Sequence, residues 1–139
     1  MVDKPKLDQM LSNLRSFVAV LHGLGAEPRE SFLDNPDKLG NAKYHFVIAI
    51  ECCIDIANHI IASENFRFPV DNADSFTVLV EHGVVNQALE DALRAMARFR
   101  NRLVHLYWDV DNLRVREYLE QSLPDFERFA KAIAGHAWD

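Results

Sequence analysis

Arg100, Asn101 and His105 lie close together in the stretch RFRNRLVHLYWDVD, which runs from Arg98 to Asp111. Their types suit phosphodiester chemistry. An imidazole exchanges a proton near neutral pH, so it can take one from a ribose 2′-hydroxyl or give one to a leaving oxygen. A guanidinium keeps its charge and can stabilise the negative charge that develops on a phosphate under attack. Such a pair would cleave RNA to a 2′,3′-cyclic phosphate without a metal ion.

The position of Arg100 adds to this. Each helical residue advances about 100°, which puts Leu93, Met96, Leu103, Val104 and Tyr107 within roughly 60° of Arg100. The arginine thus sits on an apolar stripe. Burying an unpaired guanidinium is strongly unfavourable, so it must meet a carboxylate, a polar cavity, a ligand or a second subunit. His105 falls about 140° away, and Asn101, four residues before it, shares its face. Arg100 and His105 converge only if the helix distorts, or if a symmetry-related copy supplies the other wall of a cleft.

The elements that must carry these residues all read as helices. Leu7, Met10, Leu11, Leu14, Phe17, Val18 and Leu21 recur at spacings of three and four, which predicts an amphipathic helix from Lys4 to about Leu24, ended by Gly23 and Gly25. AEPRESFLDNPDKLG reads as a connection with one helical turn around Glu30 to Leu33. From about Asn41 to Ser63 the chain is apolar on more than one side, as the central helix of a bundle must be. ENFRFPVDNAD is a loop, after which Asn72 or Asp74 would cap a short helix from Ser75 to His82 that Gly83 stops. The motif helix runs from near Asn86 to about Tyr107, and DVDN turns the chain. A last helix, Leu113 to about Ala134, should kink or break at Pro124, which removes a helical donor. The expected fold class is all-α: an antiparallel bundle of four main helices plus a short one, in one domain over residues 1–139.

Composition agrees with one compact domain, at 49% hydrophobic and 26% charged with 5 Gly and 5 Pro. No run reaches the roughly 18 uninterrupted apolar residues of a membrane span, and MVDKPKLDQM has no signal-peptide core, so the expected location is the cytoplasm, away from membranes. The formal charge of −6 argues against indiscriminate nucleic-acid binding. Local charge runs the other way. Arg94, Arg98, Arg100, Arg102, Arg114 and Arg116 crowd one region, and Arg98 and Arg102, beside the motif, are the candidate RNA contacts. The competing reading is a solvated basic face that complements acidic neighbours.

A second polar line crosses the central helix, where Glu51, Asp55 and His59 recur every four residues and so share a face. A metal site is possible in principle, but no second cluster supplies the remaining ligands. The favoured reading is that Glu51 or Asp55 balances Arg100, or other arginines of the motif helix, while His59 lines the same polar cleft. No metal or other cofactor is expected. Cys52 and Cys53 are adjacent within an apolar helix and read as buried free thiols. His22, His45, His82 and His136 read as surface or capping residues.

RNRLVH, Arg100 to His105, resembles the arginine, polar residue, three further residues and histidine of the HEPN superfamily. The extension RNRLVHLY resembles the Arg-x4-His-x-Tyr form of its HepT-like toxins. AIECCIDIANHIIA, SFTVLVEHGVV and LVHLYWDVD are similar to that family's central helix, its short helix and turn, and its motif exit, so the likeness covers nearly the whole chain. The resemblance implies a homodimeric, metal-independent endoribonuclease, the toxin of a type VII-like toxin-antitoxin pair. It implies that His105 transfers protons, Arg100 holds the scissile phosphate and Asn101 orients the site. It further implies an MntA-like nucleotidyltransferase antitoxin that adds AMP to the motif tyrosine, here Tyr107. On a continuous helix Tyr107 would lie about 20° from Arg100, so adenylate would bring bulk and negative charge to the arginine meant for RNA.

A reading from another class competes: a non-catalytic helical module that partners a nucleotidyltransferase and presents nucleotide or substrate to it. Retention of both Arg100 and His105 favours the enzyme. Tyr107 and Trp108 can equally be packing aromatics at a helix end.

Overall fold

The computed structural model describes residues 1–138, and among them the chain forms seven α-helices and one 3-10 turn, with no strand. In order these are α1 (Lys4–Gly25), α2 (Arg29–Leu33), α3 (Pro36–Ser63), α4 (Asn72–Glu81), α5 (Gln87–His105), the 3-10 turn Tyr107–Asp109, α6 (Asn112–Gln121) and α7 (Leu123–Trp138). The all-α bundle expected from periodicity is present. Its four long members are α1, α3, α5 and the α6–α7 pair.

Side-chain caps set the helix starts. Asp3, Asn35, Asp71, Asn86 and Asp111 each accept from a backbone N–H in the first turn of α1, α3, α4, α5 and α6. Two of these starts differ from expectation. The central helix begins at Pro36 rather than near Asn41, because Asn35 caps it and proline fits a first helical position, where its missing N–H would be unpaired anyway. The cap of α4 is Asp71, not Asn72 or Asp74. Asp74 instead accepts both terminal nitrogens of Arg67 (2.8 and 2.9 Å) and the Val70 amide (2.9 Å). Arg67 also grips Glu81, which fastens the connection before α4 along its flank.

Helix ends follow local chemistry as well. At the end of α4, Gly83 takes φ +71°, its N–H donates to Val80 and that of Val84 to Leu79, a double closure that wants a residue without Cβ. Gly25 is the last residue of α1, as expected, whereas Gly23 lies within the helix. Gly25 lies against α6, where a Cβ would stand 3.4 Å from the Leu119 carbonyl oxygen, in ordinary contact. The break expected at Pro124 falls at Ser122, with Pro124 in the first turn of α7.

The central helix α3 touches α1, α2, α4, α5 and α6, and one cluster of buried side chains draws on all seven helices. The amino terminus donates to the Ser63 carbonyl and the Cys52 thiol to that of Met10, so α1 and α3 run antiparallel. By length and composition α3 is apolar enough to cross a membrane, but Phe46, Ile50, Ile56 and Ile60 are buried within the bundle. Each such side chain contributes about 1.5–3 kcal/mol. Beneath the motif, Phe99 meets Phe46 edge-on (5.5 Å, 76°) and stacks on Tyr118 (4.1 Å, 8°), tying α3, α5 and α6 together.

Candidate functional site

Helix α5 carries the motif and is anchored by Leu89, Leu93, Met96, Ala97, Phe99 and Leu103, all buried. Arg100 sits among them as its spacing required, with its side chain 19% exposed. Its compensating charge is Glu51. The Arg100 Nε and Nη2 both donate to Glu51 Oε1, at 3.1 and 2.7 Å, and Nη1 donates to Asn101 Oδ1 at 3.0 Å. Held at three nitrogens, the guanidinium is pre-oriented, and the half-exposed Glu51 keeps the pair in reach of solvent.

Asp55, one turn along α3, makes no such bond. Burial, reinforced by Glu51, raises its carboxyl above the ordinary range, while Arg100 pulls the other way. His59 is half-buried, and its Nε2 is shielded from solvent without a hydrogen-bond partner. Of the three residues on that line, the structure thus brings only Glu51 into contact with Arg100. Among the described residues no three His, Cys, Asp or Glu side chains are grouped to hold a metal ion. The neighbouring thiols are free: burial pushes Cys52 up to about 11 and holds Cys53 well above its ordinary value.

His105 is the last residue of α5 and is exposed, as is Asn101. The helix is unbroken from Arg100 to His105, and within the chain no hydrogen bond among the described residues joins them. Of the two alternatives, the helical distortion that would bring them together is absent.

The path after His105 departs from the sequence reading. The helix stops there rather than near Tyr107, because Leu106 leaves helical geometry (φ −132°, ψ 39°) and the chain tightens into the 3-10 turn. Two aspartates favour this corner. Arg102 reaches the Asp109 carbonyl and carboxylate, both at 3.4 Å, and Asp111 caps α6 by accepting from Leu113 (2.9 Å). Tyr107 and Trp108 consequently project, 66% and 70% exposed, with their rings edge to face. The angle of about 20° between Tyr107 and Arg100 holds only for a continuous helix and does not apply.

The arginine cluster also divides. Arg116 is 5% exposed, bonded to Glu120 and the Gly25 carbonyl and lying over the Phe32 ring. Arg94 donates to Thr77, which donates to Glu90. These two brace the bundle. Arg98, Arg102 and Arg114 remain at the surface and line a cleft of about 510 Å3 between α5 and α6. Sequence reasoning noted the basic region but missed the cleft, which depends on how α6 folds back. Of the other histidines, His22 and His45 are on helix surfaces, His82 caps α4 and stacks on Phe66, and His136 departs from expectation by pairing with Glu64 at 2.7 Å.

With this geometry in place, comparison with known proteins gives a definite result. The family model described as ribonuclease HepT-like matches residues 7–133. The chain belongs to that family. It is 39% identical over 83 residues to the mRNA nuclease HepT of Shewanella oneidensis, a match that takes in 60% of this chain and 62% of that relative. A solved structure of a tri-AMPylated Shewanella oneidensis HEPN toxin in complex with an MNT antitoxin superposes with a TM-score of 0.88 at 26% identity, covering 97% of this chain and 99% of the other. A toxin-antitoxin crystallised with AMP-PNP gives 0.87 at 25% identity, over 93% and 97% of the two chains. The cytosolic Bacillus subtilis protein YutE, of unknown function, shares the fold at 0.84 and 21% identity, over 97% and 90%.

Proposed function

We propose that this chain is the toxin of a type VII-like toxin-antitoxin pair, a metal-independent endoribonuclease acting on mRNA or tRNA in the cytoplasm. The observation that carries the reading is Arg100, held on an apolar face by Glu51 and Asn101 in a ribonuclease HepT-like fold, with an exposed His105 on the next turns. Arg100 binds the scissile phosphate and stabilises its developing charge. His105 moves the proton of the 2′-hydroxyl or of the leaving oxygen, and the products are a 2′,3′-cyclic phosphate and a 5′-hydroxyl. Asn101 orients Arg100, Glu51 holds it, Asp55 and His59 extend the polar support, and Arg98 and Arg102 contact the RNA backbone.

One chain presents Arg100 and His105 to different sides, so the site is completed in a homodimer whose two-fold axis brings two α5 helices together. The antitoxin is an MntA-like nucleotidyltransferase, and the projecting Tyr107 is the hydroxyl it adenylylates. The phosphoanhydride of ATP breaks, a bond forms between Tyr107 Oη and the α-phosphorus, and pyrophosphate leaves. The names of the similar proteins, an mRNA nuclease and an AMPylated toxin bound to an MNT antitoxin, support this reading.

The test is incubation of the purified, unmodified protein with total tRNA and a model mRNA in EDTA, beside Arg100→Ala and His105→Ala variants shown to be folded. Cutting by the wild type alone, with cyclic phosphate ends, is the expected result. No cutting by folded, unmodified protein would favour a non-catalytic module that presents nucleotide or substrate to the nucleotidyltransferase.

A further inference from the structure

The cleft between α5 and α6 is not used by the reading above beyond its first wall. Arg98 and Arg102 form that wall, Arg114 and Tyr118 on α6 form the opposite one, and Asp109 lies at the corner between them. Its volume of about 510 Å3 is that of a small-ligand pocket.

The arginines here are weakly committed. Arg102 meets Asp109 only at 3.4 Å, with both side chains more than half exposed, and Arg114 meets Glu117 at 3.7 Å, beyond hydrogen-bond range. Elsewhere the same residue type is tightly engaged, as in Arg100–Glu51 at 2.7 Å, Arg67–Asp74 at 2.8 Å and Arg116–Glu120 at 2.9 Å. In a chain of net charge −6, under-neutralised guanidinium groups facing one cavity call for an anion. The walls are also stiff. Tyr118 is stacked on Phe99 and so fixed, and the Arg114 guanidinium, exposed to solvent, lies 5.4 Å from the Tyr118 ring centre.

We infer that this cleft binds one nucleotide unit of single-stranded RNA next to the scissile phosphate, its phosphate among Arg98, Arg102 and Arg114. The inference rests on the ribonuclease reading and adds a wall from α6 to it. On α5, Arg98 and Arg102 fall within roughly 20–60° of His105, so a strand leaving the histidine runs toward the cleft. The two acids there favour a nucleotide over an acidic protein surface. Asp111 is occupied in capping α6, while Asp109, only loosely held, can accept from a ribose hydroxyl or base amino group. A carboxylate is an acceptor alone and would leave Asp109 without a donor.

The experiment is fluorescence-anisotropy binding of a 2′-O-methyl RNA oligonucleotide, which cannot be cut, to the full chain over a range of salt. Wild type is compared with Arg114→Gln, Arg114→Lys, Arg98→Gln and, as a control on α7, Arg128→Gln, each checked for folding by circular dichroism. Arg114→Gln and Arg98→Gln should weaken binding several-fold and reduce the slope of log K against log salt by about 0.7 each. Arg114→Lys should recover the slope, and Arg128→Gln should match the wild type. On cleavable RNA the loss should appear mainly in KM. Should Arg114→Gln not fold, Arg114→Ala takes its place, because Arg98 already belongs to the ribonuclease reading.

Unchanged affinity and slope in folded variants would overturn the cleft while leaving wild-type cleavage, and hence the ribonuclease reading, intact. A wild type that neither binds nor cuts RNA would instead remove the reading on which the cleft rests. Binding of free AMP or inorganic phosphate that responds to these variants while RNA does not, or competition by poly-glutamate as strong as by RNA, would overturn the assignment to RNA.

Discussion

Arg100 and Glu51, on different helices, share a single carboxylate oxygen: both Nε and Nη2 of the arginine donate to Glu51 Oε1. The two partners depend on the pair unequally, because the Arg100 side chain is 19% exposed and that of Glu51 40%. Glu51→Ala strands a largely buried cation and should cost about 1–2 kcal/mol, less than a fully buried pair because solvent reaches this one. Arg100→Ala leaves a carboxylate that water can reach and should cost less than that. Urea denaturation of the two variants checks the order.

His105 makes no contribution to the core, so its loss should separate activity from folding. His105→Ala is expected to lower RNA cleavage about 10²–10⁴-fold, the range of a general acid or base, with an unchanged melting temperature. Single-turnover cleavage in EDTA beside a thermal melt measures both. An equal fall in stability would mean that the histidine is a structural residue at the helix end.

Tyr107 stands outside the helix on a projecting turn, which makes its hydroxyl accessible to another enzyme's active site. Incubation with the cognate nucleotidyltransferase and ATP should add adenylate to the wild type and abolish its cleavage activity. Tyr107→Phe should remain unmodified and equally stable. Intact-mass spectrometry followed by peptide mapping decides the acceptor, and adenylate on Tyr44 or Tyr118 instead would contradict the assignment.

Two carboxylates predict opposite pH behaviour. The hydrogen bonds from Arg67, and then that from the Val70 amide, lower Asp74 from its ordinary 3.8 to about 2. A lowered carboxyl stabilises the fold above its unfolded value, and that stability is lost as pH falls from about 4 to about 2. Asp74→Asn should therefore lower the neutral-pH melting temperature and flatten the acid limb over that window. Asp55 is raised from 3.8, chiefly by burial, so the folded state holds its proton more tightly. Its contribution is present at acid pH and declines as pH rises through the interval above 3.8, so Asp55→Asn should be slightly more stable than wild type at neutral pH and equal to it near pH 3. Thermal melts from pH 2 to 8 measure both.

Much of this arrangement was legible in the sequence because periodicity is a local property. The apolar stripe of α5 made Arg100 conspicuous, the four-residue spacing on α3 nominated Glu51 and Asp55 as partners, and Pro124 announced the break before α7. Ends and long-range neighbours were not legible in the same way. Nothing in LVHLYW ends a helix, so Tyr107 reads as helical; the structure ends it where Leu106 leaves helical geometry, and Asp111 starts the next helix. Arg116 reads as a surface charge until α6 is laid against Gly25 and Phe32, and the cleft exists only once Arg114 faces Arg98 and Arg102 across two helices. For Asp55 and His59, spacing identified the shared face but could not say that Arg100 would choose Glu51 alone.

The sharp corner after His105 also bears on how such a protein changes under selection. Asn101, His105, Tyr107 and Trp108 are all exposed, and the fold is built elsewhere, on the buried side chains of all seven helices. If the chain poisons its own host, survivors of an unopposed expression screen have two routes: disrupt the core, which removes the protein, or alter the corner, which leaves a stable and silent copy. Missense escapes that still accumulate as full-length protein should crowd around Asn101 and His105, and such copies could go on occupying the antitoxin.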